Sequence, residues 1–190
     1  MDIKKAFLFF KNLHKNQTYS DWSQYRPHLL RVGNILQHYL DLFWEFEKEM
    51  SNSITIAWYW HDSLEDTDIS LDTLQEIFWN TIAHLIWGMT NEQSDTHTDI
   101  YVQKICRAKE EIRLIKLADL CDNYSSIVYR ALENNPQFLK EKILPIMEPM
   151  YQEIITTSFV KYPKTWAEFL SNVKKCHDLA DTYINFLCLN

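Results

Sequence analysis

The chain has 190 residues, and its 46% hydrophobic and 14% aromatic content is ample for one secure core. It contains only two glycines and carries a formal net charge of −7. So few glycines disfavour an all-β sandwich and a glycine-lined phosphate loop, and the negative charge argues against DNA or RNA as a partner. We therefore expect one domain over residues 1–190, in which any anionic ligand is held locally.

Helical periodicity dominates the sequence from its beginning. The first predicted helix covers residues 4–15, and its apolar stretch, Ala6 to Phe10, is too short for a signal peptide or a membrane span. The four cysteines are widely spaced, which favours buried, reduced thiols and a cytoplasmic protein without a membrane partner. Pro27 begins the second helix, whose apolar spacing turns His28 inward.

Two serine-containing segments predict the starts of the next helices. Ser51-Asn52-Ser53 is a capping cluster ahead of the apolar run 54–60, which we interpret as a buried helix although its β-branched and aromatic residues also suit a strand. Ser70 is the predicted cap of a helix that runs from about residue 71 to 89 and ends at Gly88. A polar loop, 91–98, follows.

The second half of the chain is predicted to be helical as well. Two helices cover about 100–132, Pro136 begins another that Pro145 and Pro149 kink or divide, and the last helix covers about 164–187. The break at 147–150 is either a pocket wall or a homo-oligomer contact. The expected fold is an all-α bundle of about seven or more helices. The last helix is predicted to complete the core through Trp166, Phe169, Val173, Leu179 and Ile184.

The segment from His61 to Thr67 follows the most apolar run of the chain. If helical geometry persists, Asp62, Glu65 and Asp66 lie on one face. When carboxylates lie this near one another, either their pKa values are raised or they share a cation. His61 beside Asp62 is a suitable ligand pair for a first-row divalent metal. The alternative is a solvated acidic loop after a core helix.

A second acidic residue lies in an apolar helix, 112–121. Asp119 needs an opposite charge, several donors or a metal, because a buried unpaired carboxylate is costly. Lys116 offers an i,i+3 ion pair as the simpler explanation, Asn123 shares the face one turn later, and Asp122 is interpreted as a helix-end residue only. Four side chains are then candidate metal ligands, namely His28, His61, Asp62 and Asp119.

The order His28, His61-Asp62, Asp119 resembles the H…HD…D signature of the HD-domain metal-dependent phosphohydrolases. HDSLEDT at 61–67, IAHLIWGMT at 82–90 and IKLAD at 115–119 are more narrowly similar to the hydrolase domain of the RelA/SpoT family and its small stand-alone metazoan members. Tyr25 and Val32 also match that family's spacing around the first histidine. The resemblance covers about residues 10–130, and helices within 136–190 are expected to complete the bundle.

The resemblance implies a metal-dependent nucleotide phosphohydrolase that uses Mn²⁺ or another divalent ion and releases pyrophosphate from the 3′ position of guanosine 3′,5′-bis(diphosphate). It implies that the four candidate ligands hold the ion and that Glu65 and Asp66 orient or deprotonate the attacking water. The connector 18–24 lacks the basic residues usual in the family, so phosphate contacts are sought elsewhere. The alternatives are an HD-type nucleotidase and a non-catalytic binding module. The candidate substrate contacts are Asn123, Lys104, Arg107 and Tyr25.

Overall fold

In the computed structural model, the described residues are 3–6, 8, 26–91, 98–133 and 136–188. Among the described residues from 26 onward the chain forms ten α-helices and one π-helical segment, and no described residue lies in a strand, which confirms the all-α prediction. Residues 3–6 are also helical, and the rest of the predicted first helix lies outside the described ranges. The helices are α1 (Arg26–Leu42), α2 (Lys48–Tyr59), α3 (Ser63–Asp66), α4 (Leu71–Ile77), α5 (Asn80–Met89), α6 (Thr98–Arg107), α7 (Glu110–Glu133), α8 (Pro136–Phe138), α9 (Leu144–Ile154) and α10 (Pro163–Cys188).

Helix α7 lies at the centre of the bundle. It packs along α10 and also contacts α1, α2, α5, α6 and α9. Leu114, Ile115, Leu117 and Ala118 are fully buried on it, because partners surround most of its circumference. Asp119 is therefore presented from the middle of the core, as the sequence predicted. No described helix is both long and apolar enough to traverse a lipid bilayer.

The predicted start of α2 is wrong. The helix begins at Lys48 with Glu47 at its N-cap, so Ser51-Asn52-Ser53 lie inside it. The Ser53 hydroxyl donates to the Glu49 carbonyl one turn earlier, at 2.9 Å. This i−4 bond is the usual way in which a serine is accommodated in a helix interior.

The predicted helix 71–89 is divided in two. Ser70 caps α4 as predicted, since its hydroxyl accepts from the Thr73 amide. Phe78 then leaves helical geometry, with ψ near 128°, and its buried ring packs edge-on against Trp60 at 4.8 Å between centroids. Burial of this ring accounts for the break that periodicity did not reveal.

The two glycines permit close packing of helices. Gly88 lies inside α5, which ends at Met89, so the prediction that Gly88 ends the helix is wrong. Neither glycine has a positive φ. A Cβ at Gly33 would lie 2.5 Å from the Tyr59 hydroxyl oxygen, and one at Gly88 would collide with Ile112. Both positions therefore demand the absence of a side chain rather than an unusual backbone.

The C-terminal part agrees with its prediction in outline. Pro145 lies in the first turn of α9 and Pro149 inside it, while the irregularity is a π-helical segment, Leu139–Ile143. Of the five residues predicted to complete the core from α10, Leu179 is 58% exposed and the other four are buried. The four cysteines are free; Cys121 is buried and the others are half-buried.

Candidate metal and catalytic site

Trp58 on α2 positions two histidines. Its indole nitrogen donates to the Leu29 carbonyl on α1 at 3.0 Å. The His28 ring meets the indole edge-on, with centroids 5.3 Å apart, and the His61 ring stacks on it at 4.1 Å. Both candidate ligand histidines therefore contact the same indole.

His28 is buried between two aspartates of α7. Its Nε2 lies 3.3 Å from Asp119 Oδ1 and its Nδ1 lies 2.8 Å from Asp122 Oδ2. Burial alone would lower the pKa of His28, but the hydrogen bonds to Asp119 and Asp122 raise it to about 8.

Asp122 contacts His28 and Arg31 within the candidate site, which the sequence interpretation missed. It is buried in the middle of α7 rather than at a helix end, so the earlier interpretation is wrong. Arg31 on α1 donates to both of its oxygens, at 2.7 and 2.9 Å. The Asp122 carboxylate therefore contacts His28 and Arg31 at the same time. Its ion pair with Arg31 fixes the carboxylate, which in turn fixes the orientation of the imidazole.

Asp119 is surrounded by donors. Lys116 Nζ lies 2.8 Å from Oδ2, so the simple ion pair foreseen from the sequence is present. The Asn123 amide donates to Oδ1 at 2.7 Å. Burial alone would raise the pKa of Asp119, but the Lys116 charge and the His28 hydrogen bond hold it well below its usual value. Hydrogen bonds to both oxygens thus fix the orientation of the Asp119 carboxylate.

His61 lies in the turn between α2 and α3. Its Nδ1 lies 2.8 Å from the Trp58 carbonyl oxygen, which only accepts, so Nδ1 carries a proton. Its Nε2 lies 2.7 Å from Asp62 Oδ1. The imidazole and the Asp62 carboxylate therefore face each other directly.

The acidic residues after His61 are arranged differently from the prediction. Asp62 is the N-cap of the short helix α3, and Glu65 lies within it, so they do not share one continuous helix with α2. Glu65 accepts a hydrogen bond from the backbone N–H of Asn91 at 2.7 Å. Partial burial and the nearby charge of Asp62 raise the pKa of Glu65. The side chain of Asp66 lies outside the described part of the structure.

The donor chemistry fits a divalent ion. In two pairs, an imidazole Nε2 faces a carboxylate oxygen: His28 faces Asp119, and His61 faces Asp62. Imidazole and carboxylate are ligands that Mn²⁺ and other first-row divalent metals accept. Nδ1 of each ring is engaged by a carboxylate or a carbonyl, as is usual for metal-binding histidines. Among the described residues these donors form two pairs and not a cluster of three or more.

The predicted substrate contacts are dispersed. Asn123 lies within the site through its bond to Asp119. Lys104 lies nearby, and its ammonium donates to the carbonyls of Trp87 and Thr90 at 3.1 and 2.8 Å. Arg107 lines a separate cavity between α5, α6 and the start of α7. Tyr25 lies outside the described residues, as does the connector 18–24.

The structure is thus an all-α bundle in which two histidines each face a carboxylate. No family model matches the chain. It is 30% identical over 117 residues to a guanosine-3′,5′-bis(diphosphate) 3′-pyrophosphohydrolase of Danio rerio, covering 58% of this chain and 61% of that protein. It is 27% identical to the enzyme of that name from Aquifex aeolicus and 24% identical to a GTP pyrophosphokinase of Myxococcus xanthus, covering 87% and 89% of this chain. The chain spans less than a quarter of either bacterial relative, 23% and 22%.

Solved structures agree with this similarity. A metazoan orthologue of SpoT, described as hydrolysing ppGpp, superposes with a TM-score of 0.67 at 17% identity over 91% of this chain and 93% of that one. A protein from Listeria monocytogenes superposes with a TM-score of 0.59 at 18% identity over 79% and 95%. The resemblance to the RelA/SpoT-type hydrolases drawn from the motifs is therefore confirmed in sequence and in fold.

Proposed function

We propose that this chain is a metal-dependent phosphohydrolase that removes pyrophosphate from the 3′ oxygen of guanosine 3′,5′-bis(diphosphate). The observation that carries the proposal is the pairing around Trp58, where two imidazoles oppose Nε2 to Asp119 and Asp62. The similarity to relatives named for this reaction supports the choice of substrate. A cytoplasmic location remains a prediction from the sequence.

We assign the divalent ion, which we propose to be Mn²⁺, to His28, His61, Asp62 and Asp119. Such an ion, when bound, withdraws charge from a phosphate oxygen and lowers the pKa of a water molecule. The chain prepares this site by fixing the direction of its donors. Asp122 and Arg31 hold the His28 ring, and Lys116 balances the charge of Asp119.

Glu65 is proposed to accept the proton of the attacking water, together with Asp66. Its raised pKa brings it closer to neutral pH, where a general base is more effective. The bond that forms joins the water oxygen to the phosphorus attached to the 3′ oxygen, and the bond that breaks joins this phosphorus to the 3′ oxygen. The pyrophosphate leaves with the new oxygen, and the 3′ oxygen takes up a proton to become the 3′ hydroxyl.

The nucleoside is proposed to lie beside Asn123, a half-buried residue that donates to Asp119. Lys104 donates to the Thr90 carbonyl, and the backbone amide of the next residue, Asn91, donates to Glu65, so Lys104 lies near the acidic residues. Its ammonium is proposed to reach a substrate phosphate. Tyr25 remains a predicted contact of the substrate from the sequence alone, whereas Arg107 lines the separate cavity.

The test is a release assay over a panel of nucleotides with Mn²⁺, repeated with a chelator and with Asp119→Asn. We expect pyrophosphate from guanosine 3′,5′-bis(diphosphate) only in the presence of the metal, and a loss of at least a thousandfold in the variant. Release of orthophosphate from 5′-monophosphates would instead identify a nucleotidase. A protein that binds no metal and releases nothing from any nucleotide even with Mn²⁺ added would instead be a non-catalytic binding module.

A further inference from the structure

A second cavity lies away from the acidic site. Its volume is about 670 Å³, within the range of small-molecule sites, and it lies between α5, α6 and the start of α7. None of the proposed metal ligands, nor Glu65 or Asn123, lines it, and Lys104 is the one proposed substrate contact that does so apart from Arg107. Ile112 in its wall precedes Asp119 by seven residues, which is roughly 10 Å along a helix.

The charges around this cavity are mainly positive. Lys104, Arg107, Lys109 and Lys161 line it, and Glu111 is the one acidic residue among the lining residues described. Arg107 and Lys109 are exposed at the junction of α6 and α7. Because the chain as a whole has a net charge of −7, this local cluster of cations would attract an anion to the cavity specifically.

Glu111 contributes an acceptor inside this cationic wall. Its side chain is 3% exposed, and its Oε1 accepts from the Tyr162 hydroxyl at 2.8 Å and from Lys161 at 3.4 Å. Within the described part of the chain, its Oε2 has no hydrogen-bond partner. A buried carboxylate oxygen left in this state is costly, and an N–H donor from a ligand would satisfy it.

The remaining wall offers apolar surface for a planar group. Leu85 and Ile112 are buried there, Met50 is half-buried, and Trp87 is 44% exposed with Lys104 Nζ 4.7 Å from its ring centroid. A flat heterocycle suits this wall, since aromatic and aliphatic side chains bind its face and its edge carries N–H donors. Phosphates suit the exposed cations at the mouth.

We propose that this cavity is a second nucleotide site, which binds a purine nucleoside polyphosphate apart from the acidic site. The base places an N–H group against Glu111 Oε2, and the phosphates contact Arg107 and Lys109. Binding here needs no hydrolysis, so the inference does not rest on the proposed reaction. Arg107, which the sequence assigned to the substrate, is thereby assigned to a different ligand.

The experiment is calorimetric titration of the full chain with GTP in the presence of a chelator, which prevents turnover. Four proteins are compared: the original chain, Arg107→Glu with Lys109→Glu, Asn123→Ala, and a control that combines Lys140→Glu with Lys174→Glu. The control reverses two exposed lysines outside the cavity lining and therefore matches the change in net charge. Inorganic triphosphate serves as a second probe.

We expect a GTP site that weakens at least tenfold in the Arg107 and Lys109 variant and is unchanged in Asn123→Ala and in the control. Inorganic triphosphate should bind at least tenfold more weakly than GTP, because it lacks the base. Absence of GTP binding to the original chain, or equal binding by the Arg107 and Lys109 variant and the control, would overturn the proposal. Equal affinity for triphosphate and GTP would contradict the role given to Glu111.

Discussion

The acidic site and the cationic cavity lie two helical turns apart on α7 and are built in opposite ways. In the acidic site, His28, Asp119 and Asp122 are buried, and each is held by partners from another element or turn. At the cavity, Arg107 and Lys109 are exposed, and Lys161 is 63% exposed although it contacts Glu111. The acidic site therefore fixes the orientations of its side chains before any ligand binds, whereas the cationic side chains of the cavity can still change their orientations.

This difference has an energetic consequence. Removing a partner from a buried charge network leaves another charge uncompensated, so variants of the acidic site should lose stability as well as activity. Exposed cations contribute little to folding, so variants at the mouth of the cavity should lose ligand binding alone. Measuring stability and function on the same variants therefore separates the two regions.

Asp119→Asn should show the largest combined effect. The substitution leaves the Lys116 ammonium, whose side chain is 22% exposed, without its carboxylate. It also removes the charge that faces His28 Nε2. We expect the free energy of unfolding to fall by about 2–4 kcal/mol, near the range for breaking a buried ion pair.

The measurement is urea unfolding at neutral pH without metal, with Asp181→Asn as the control because Asp181 is exposed on α10. The control should change the free energy of unfolding by less than about 0.5 kcal/mol. If Asp119→Asn were as stable as the control, the Lys116 pair would contribute nothing, and the contrast between the two regions would fail.

Asp122→Asn tests a residue that acts through His28. The amide cannot provide a charge for both His28 Nδ1 and Arg31, so the imidazole loses its fixed orientation. We expect metal affinity or turnover to fall about 10–100-fold, the usual effect of losing a partner behind a metal-binding histidine. A matched control exists in Asp178, which lies 3.1 Å from His177 Nδ1 outside the site. Asp178→Asn should leave Mn²⁺ affinity unchanged, and an equal loss in both variants would contradict the positioning role.

The principal ligand candidates could be predicted from the sequence because each breaks a local rule. Asp119 stands in an apolar helix, and His61-Asp62 follow an apolar run, so burial and charge conflict visibly at both places. Asp122 and Arg31 carry a weaker signal, since each lies three residues after a partner that had been identified, Asp119 or His28. Spacing of this kind places two side chains on one face but does not reveal that two faces meet.

The fold shows the same division between local and tertiary information. The Ser70 cap and the separate helices α6 and α7 follow from neighbouring residues and are confirmed. The break at Phe78 depends on the distant ring of Trp60, and the place of Gly88 depends on Ile112 of another helix. Periodicity within a segment contains no information about such partners, so these features were predicted incorrectly.

The pH dependence of stability should reveal the His28 network. The pKa of His28 is raised from 6.5 to about 8, so its contribution is complete below pH 6.5 and is lost as the pH rises through about 8. The contribution amounts to about 2 kcal/mol, because one pKa unit corresponds to about 1.4 kcal/mol. The lowered pKa of Asp119 acts in the opposite direction and costs stability only in acid.

Urea unfolding in the presence of a chelator, at pH values from about 6 to about 9, measures this loss of stability. His28→Gln should flatten the decline, and His38→Gln, at an exposed position on α1, should leave it intact. Added Mn²⁺ should stabilise the protein more as the pH rises, because metal and proton compete for Nε2. A decline that persists in His28→Gln would assign the titration to another group.

The smallest expected effects come from the two glycines, one at a helix crossing beside each region. A Cβ at Gly33 would lie 2.9 Å from two ring carbons of Tyr59, next to Trp58 on α2. The ring cannot shorten, so α1 would move against α2 and carry His28 with it. A Cβ at Gly88 meets the terminal methyl of Ile112, which can rotate away into the cavity. Overpacking typically costs about 1–3 kcal/mol, and alanine regains roughly 1 kcal/mol of helix propensity.

Gly33→Ala should therefore lower the free energy of unfolding by about 1–2 kcal/mol and reduce turnover, whereas Gly88→Ala should stay within about 1 kcal/mol of the original chain. The Gly88 variant should instead weaken GTP binding, since the displaced Ile112 side chain fills part of the cavity wall. Combining Gly33→Ala with Tyr59→Phe removes the atom nearest to the added Cβ and should restore part of the lost stability. Identical profiles for the two variants would show that the regions are mechanically coupled through α7, because independent regions respond only to the crossing that each one contains.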